Sequence, residues 1–410
     1  MRILVQKFGG SSVADRSRML QVREKVLAGL QQGYKMLVVL SARAGDTNKL
    51  LALASEWSET PDPAECDSLV STGEQVSISL FTMLLKDQGI KARSLLGFQI
   101  PIRTDDVFMK ARIKSIDSDS INSLFEQYDV LVVAGFQGVT EDNRIATLGR
   151  GGSDTSAVAL AAAVKAESCE IYTDVDGVYT TDPNLCPEAR KLDRVTYDEM
   201  LEMASMGAKV LEIRSVEFAK KYNVVVHVRS TFTDTPGTIV AQEDSDMEHV
   251  LVSGIAYDKD QARITMRSVS DKPGVAFSVF HPLAEANIGV DMIVQNPSRE
   301  GVTDITFTVA RKDLKQTLAI MEEVKGSLGC AEILHDTNTT KVSAIGVGMR
   351  NHSGVASKAF AALQKENINI LLISTSEIKI SCLIEEKYLE LAVRVLHEAF
   401  GLDQNSFKAS

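Results

Sequence analysis

The chain has 410 residues, too many for one ordinary domain, and its 44% hydrophobic and 24% charged content is that of a folded protein with ample core. A formal charge of −11 argues against a nucleic-acid partner, because phosphate backbones are bound by basic surface. Five scattered cysteines without a CxxC pair and six dispersed histidines argue against a disulfide framework or a metal site built by the protein, and for a reduced, cytoplasmic setting.

In chain order, Arg2–Lys7 reads as a first strand rather than the core of a signal peptide. Arg16–Gln31 has helical periodicity. Met36–Leu40 (MLVVL) is a continuous apolar run, as expected of a strand buried on both faces. Ser68–Asp87 reads as helix, Val130–Ala134 as a second buried strand, Ser153–Lys165 as an Ala-rich helix, and Glu170–Thr173 and Val224–Val228 as further strands. This alternation predicts an α/β domain over 1–240, three layers deep with a mostly parallel central sheet. No apolar run reaches the ~18 residues of a membrane helix.

The acidic stretch 241–249 reads as a linker. After it comes an internal repeat: Gly274–Asn296 and Gly354–Ser376 lie 80 residues apart and share 8 of 23 positions. Each copy reads as strand, glycine turn, helix, strand, strand, helix, a βαββαβ ferredoxin-like plan. The first copy, 263–338, has all four strands. The second, 341–410, lacks one, and Val250–Ala256 is a spare strand upstream. The expected arrangement is therefore nested, with 250–256 completing the sheet of 341–410.

Three segments carry chemistry. Lys7–Ser12 (KFGGSS) follows the first strand, where two glycines permit close backbone approach to a phosphate and Lys7 supplies a point charge. Leu148–Ala157 (LGRGGSDTSA) is a glycine-rich turn opening into a helix that Ser153 or Asp154 is expected to cap; Arg150 offers a two-pronged grip on a carboxylate. Thr173–Pro183 (TDVDGVYTTDP) is a turn-rich loop after a strand. There is no Walker P-loop and no protein-kinase signature. Ser41–Leu50, Ser71–Gln75 and Gly207–Leu211 gain meaning only in combination with these three.

Together, KFGGSS, SARAGDTN, STGE, TLGRGGSD, YTDVDGVYTTDP and GAKVL resemble the aspartate kinase branch of the amino acid kinase family, in order and over essentially the whole chain; the tail resembles its paired ACT domains. The resemblance implies phosphoryl transfer from ATP, with Mg²⁺, to the β-carboxylate of L-aspartate, as the first step of lysine, threonine and methionine biosynthesis. It implies that Lys7, Gly9, Gly10, Thr173, Asp174, Tyr179, Asp182 and Lys209 bind ATP. Ser41, Thr47, Glu74, Arg150, Gly151, Gly152 and Ser153 would hold aspartate, with Glu74 suited to its ammonium. Lys7, Arg150 and Asp154 would be catalytic. It further implies lysine or threonine as feedback effectors near Asp271, Gln295 and Asn296 of the first copy and Asn369, Ile370 and Ser376 of the second. A homodimer or homotetramer through the ACT domains is expected, and Met247 is a candidate start for a separate regulatory subunit. The rival readings are another amino acid kinase, acting on acetylglutamate, glutamate or a nucleoside monophosphate, and a catalytically dead amino-acid sensor.

Overall fold

A computed structural model describes the chain except residues 207–209, 244–250, 297–300, 353 and 405–410. Lys209, Met247 and most of the expected linker lie outside the described residues. The chain divides into two compact units, Met1–Tyr179 with Lys191–Asp246, and Thr180–Arg190 with Met247–Ser410.

The first unit is built on an eight-stranded sheet. Its order is Arg194–Thr196, Thr238–Ala241, Val226–Ser230, Ser168–Thr173, Ile3–Phe8, Lys35–Leu40, Val130–Ala134, Ala92–Leu95. Every pairing is parallel except that of Val226–Ser230 with Thr238–Ala241. Side chains alternate across the pleat, so Leu4 and Phe8 point to one face and join a core with Val22 and Val26 of helix Arg16–Gln31 and Ile78 and Phe81 of helix Thr72–Lys86. Lys7 points to the other face, towards helix Gly152–Ala163. That helix is buried through Ala161, and its small side chains allow close packing against the sheet.

Two details differ from expectation. The helix expected over 68–87 is two, Pro63–Val70 and Thr72–Lys86, meeting at Ser71. A second sheet of short strands, in the order Ile113–Ile116, Ile102–Thr104, Gln137–Val139, Ile145–Thr147, was not foreseen. Strands of three or four residues leave no clear alternation in the sequence.

The second unit holds one antiparallel six-stranded sheet, ordered Val290–Gln295, Val302–Val309, Gly254–Ser270, Glu332–Ile345, Lys379–Glu385, Ile370–Thr375. Of the stretch expected as a separate strand over 250–256, Val250 lies outside the described residues and Gly254–Ala256 are instead the opening of a 17-residue strand running to Ser270. No glycine or proline interrupts it after Gly254. Gly254–Ala256 pair with Ser343–Ile345, while Arg263–Arg267 pair with Glu332–Asp336. The two long strands thus pass through both repeats, with one core around Ile264, Val279, Leu283 and Phe307 and another around Val342, Leu363, Ile384 and Leu396.

Residues Thr180–Arg190, expected within the 1–240 domain, group with this second unit. Cys186 is part of the core around Val342, Thr180 Oγ1 lies 2.9 Å from His397 Nε2, the Ile255 N–H donates to the Thr180 carbonyl, and Arg190 Nε donates to the Leu402 carbonyl. All five cysteines are free and buried.

Candidate active site

Four adjacent parallel strands, ending at Thr173, Phe8, Leu40 and Ala134, release their loops at one edge of the first unit's sheet. This carboxyl edge is where open α/β sheets bind ligands, and here neighbouring loops come from strands far apart in sequence.

Lys7, at the end of the first strand, places Nζ 2.6 Å from Asp154 Oδ1, with each side chain 12% exposed. Gly9 comes next, and a Cβ on it would lie 3.5 Å from that ammonium. At Gly10 a Cβ would stand 2.8 Å from the Ala42 carbonyl oxygen, and the Ala44 N–H donates to the Gly10 carbonyl. The glycine pair therefore lets two βα loops touch through backbone, as a phosphate cradle requires. Ser41 and Thr47 belong to the second of these loops, Thr47 in the first turn of helix Asp46–Trp57.

Glu74 lies in the first turn of helix Thr72–Lys86 and is 2% exposed. Its Oε1 accepts the Ala42 N–H at 2.9 Å, and its Oε2 is buried without a hydrogen-bond partner among the described residues. Burial pushes its pKa up from 4.5 to about 7, against the pull of the Ala42 N–H. A buried carboxylate oxygen left without a donor is costly unless a cationic ligand completes it.

The loop Gly149–Gly152 turns through left-handed backbone at Gly149 (φ 79°) and Gly151 (φ 70°), leaving Arg150 exposed between them. Ser153 lies tight against Gly135, where a Cβ would come within 2.8 Å of its Cβ and Oγ. Neither Ser153 nor Asp154 caps the helix as expected. The N-cap is Gly151, and both residues sit inside the first turn, where the Asp154 carboxylate is taken by Lys7.

In the remaining loop, Thr173 Oγ1 donates to Asp174 and the Tyr179 hydroxyl donates to Asp176. Asp182 groups with the second unit, where it accepts from the Tyr257 hydroxyl at 2.7 Å and from Asn184. The expected effector residues also separate. Gln295 ends one edge strand of the second unit's sheet, with Asn296 next to it; Ile370 opens the opposite edge strand, preceded by Asn369. The Asp271 N–H donates to Gly301, and Ser376 lines a cleft of about 420 Å³ with Met349, Arg350 and Glu377.

Residues 2–230 match the amino acid kinase family, and 263–326 and 342–400 each match an ACT domain. An aspartokinase of Pseudomonas aeruginosa is 54% identical across 98% of both chains, and one of Helicobacter pylori 49% identical across 98% of this chain and all of its own. The chain belongs to the aspartate kinases of the amino acid kinase family. Among solved structures, E. coli aspartokinase III in complex with aspartate and ADP matches at 29% identity and a TM-score of 0.79, covering 97% and 99% of the two chains. The same enzyme with lysine and aspartate matches at a TM-score of 0.78.

In this aspartate kinase, residues that no motif pointed to also pack around the glycine loop. Glu212 packs against Gly151, where a Cβ would collide with its side chain, and burial together with the charge of Asp154 pushes its pKa up. Arg214 donates to the carbonyls of Leu148 and Ala111. Asp67 is fully buried beside the same loop. Only the two-residue spacing of Glu212 and Arg214 at a helix start could have hinted at them. Among the described residues no helix is long and apolar enough to cross a membrane, and no group of three or more His, Cys, Asp or Glu could hold a metal ion.

Proposed function

We propose that the chain transfers the γ-phosphoryl group of ATP to the β-carboxylate of L-aspartate, giving 4-phospho-L-aspartate and ADP. The observation that carries this reading is the buried Glu74 Oε2, an acceptor without a donor, placed where an amino-acid ammonium would complete it. A β-carboxylate oxygen attacks the γ-phosphorus, the bond to the bridging oxygen breaks, and ADP leaves with the electron pair. No proton moves, because a carboxylate with a pKa near ~4 is already ionised at about pH 7. Catalysis therefore rests on position and charge.

In this reading Glu74 takes the ammonium and Arg150 the α-carboxylate, with Ser41, Thr47, Gly151, Gly152 and Ser153 around them. Gly9 and Gly10 present backbone to the phosphates. Thr173, Asp174 and Tyr179 line the nucleotide side. Lys7, held by Asp154 in the free protein, is released towards the transferring phosphoryl group as charge gathers there. Among the described residues no all-protein cage for a divalent ion is present, but Asp154 has Glu212 near it, a donor set that suits Mg²⁺ arriving on ATP phosphates. Mg²⁺ would neutralise phosphate charge there, with Asp154 as its protein carboxylate.

We read the second unit as two ACT domains, 263–338 nested between 254–256 and 341–410, supported by the pairing of Gly254–Ala256 with Ser343–Ile345. The two effector clusters lie on opposite edge strands, which supports pairing with a second copy and sensing of lysine or threonine there. The enzyme would serve lysine, threonine and methionine synthesis in the cytoplasm. Incubation with ATP, Mg²⁺ and hydroxylamine tests the reading: L-aspartate should give a hydroxamate, and acetylglutamate, glutamate and UMP should not. ATP turnover with one of those three instead would replace it.

A further inference from the structure

The loop that carries Arg150 hangs from a short strand, Ile145–Thr147, and the hydrogen bonds holding that strand end converge on one buried side chain. Asp67, on helix Pro63–Val70, is 0% exposed. Its Oδ2 accepts the Thr147 N–H at 2.8 Å and the Met109 N–H at 2.9 Å, and its Oδ1 accepts the Thr147 hydroxyl. Met109 is itself held in left-handed backbone (φ 65°), and its carbonyl oxygen would lie 3.0 Å from a Cβ on Gly149. The Ala111 N–H donates to the Thr147 carbonyl, and Arg214 bonds the next carbonyl, that of Leu148. Residues 147 and 148 are thus fixed from two sides, two residues before the arginine.

Burial works against the charged form of Asp67, and the three hydrogen bonds from Thr147 and Met109 oppose that effect. A buried carboxylate is an expensive way to hold a turn. It makes sense where a single rigid acceptor must seize a turn and a strand end at once, so that the side chain between two glycines starts from a fixed point. We propose that Asp67 is a positioning residue that sets the Arg150 loop for the substrate carboxylate, through Thr147 and Met109. The proposal rests on the reading of Arg150 as the grip on aspartate.

Kinetics of the full chain test it. Asp67→Ala should raise the aspartate KM about tenfold or more, as misplacement of a carboxylate clamp does, with the ATP KM within about twofold of wild type. Asp67→Asn should recover most of the loss, because its amide oxygen accepts both backbone N–H groups and its NH₂ donates to the Thr147 hydroxyl. Thr147→Val removes one bond only and should raise the aspartate KM about two- to fivefold; it decides the matter if Asp67→Ala does not fold. An unchanged aspartate KM in a folded Asp67→Ala or in Thr147→Val would overturn the proposal, and so would an equal rise in both KM values. Arg150→Ala runs alongside. Were it to leave the aspartate KM unchanged, the reading of Arg150 would fail; were it impaired while the Asp67 and Thr147 variants stayed normal, the positioning role alone would fail.

Discussion

Lowering the pH from 8 to 6 should weaken capture of aspartate by about tenfold through Glu74 alone. Its carboxyl titrates at about 7 in the free protein because burial outweighs the pull of the backbone N–H groups of Ala42 and Glu74 itself. About nine-tenths is ionised at pH 8 and about one-tenth at pH 6, and only the ionised form pairs with an ammonium. The groups of free aspartate titrate outside this window, so kcat/KM for aspartate at saturating Mg²⁺–ATP reports the change. Glu74→Gln removes the titration and should give a lower, flat profile. A flat wild-type profile, or an unchanged slope in Glu74→Gln, would refute the argument. The same burial has a cost in stability. The folded protein holds a proton on Glu74 that the unfolded chain releases between about 4.5 and 7, so stability is lost as pH rises through that window. At ~1.4 kcal/mol per pH unit the cost approaches about 3 kcal/mol at pH 8. Glu74→Gln should therefore melt higher than wild type at pH 8 and without that advantage at pH 4, while binding aspartate worse.

Other variants separate the parts of the site. Lys7→Ala should lower kcat about 10²- to 10³-fold with little change in the aspartate KM, as removal of a preorganised charge does; near-normal turnover would reject its role. Gly10→Ala places a methyl 2.8 Å from the Ala42 carbonyl and should damage use of both substrates by parting the two loops, read as a rise in both KM values without loss of the folded circular dichroism signal. Asp182→Ala tests the expected nucleotide role of that carboxylate, which Tyr257 and Asn184 hold in place: the ATP KM should rise about threefold or more, and an unchanged ATP KM would remove Asp182 from the nucleotide set.

Much of the first unit was legible because its central strands are continuous apolar runs and its loops begin with paired glycines. The placement of Lys7 against Asp154 follows from the pleat, since position 7 alternates with the apolar residues at 4 and 8. The small sheet ending at Thr147 was not legible, for three-residue strands carry no period. Asp67 was hidden for a related reason: a single acid on a helix looks like solvated surface until the strand it bonds is known. The TDVDGVYTTDP motif reads as one loop in sequence, yet its first half stays in the first unit and Thr180–Pro183 joins the second, because His397, Ile255 and Tyr257 supply its partners from more than 70 residues away. In the second unit the repeat showed two related folds, but the continuity of Gly254–Ser270 and Glu332–Ile345 was masked by polar residues where the strands cross from one copy to the other.

The most direct test of the central claim is the position of the phosphoryl group. Borohydride reduces an acyl phosphate to an alcohol, so a reaction of the protein with ATP, Mg²⁺ and L-aspartate quenched into borohydride should yield homoserine, the reduction product of the β-acyl phosphate. Recovery of 3-amino-4-hydroxybutanoate, which marks the α-carboxylate, or release of ADP with no reduced amino acid, would contradict it.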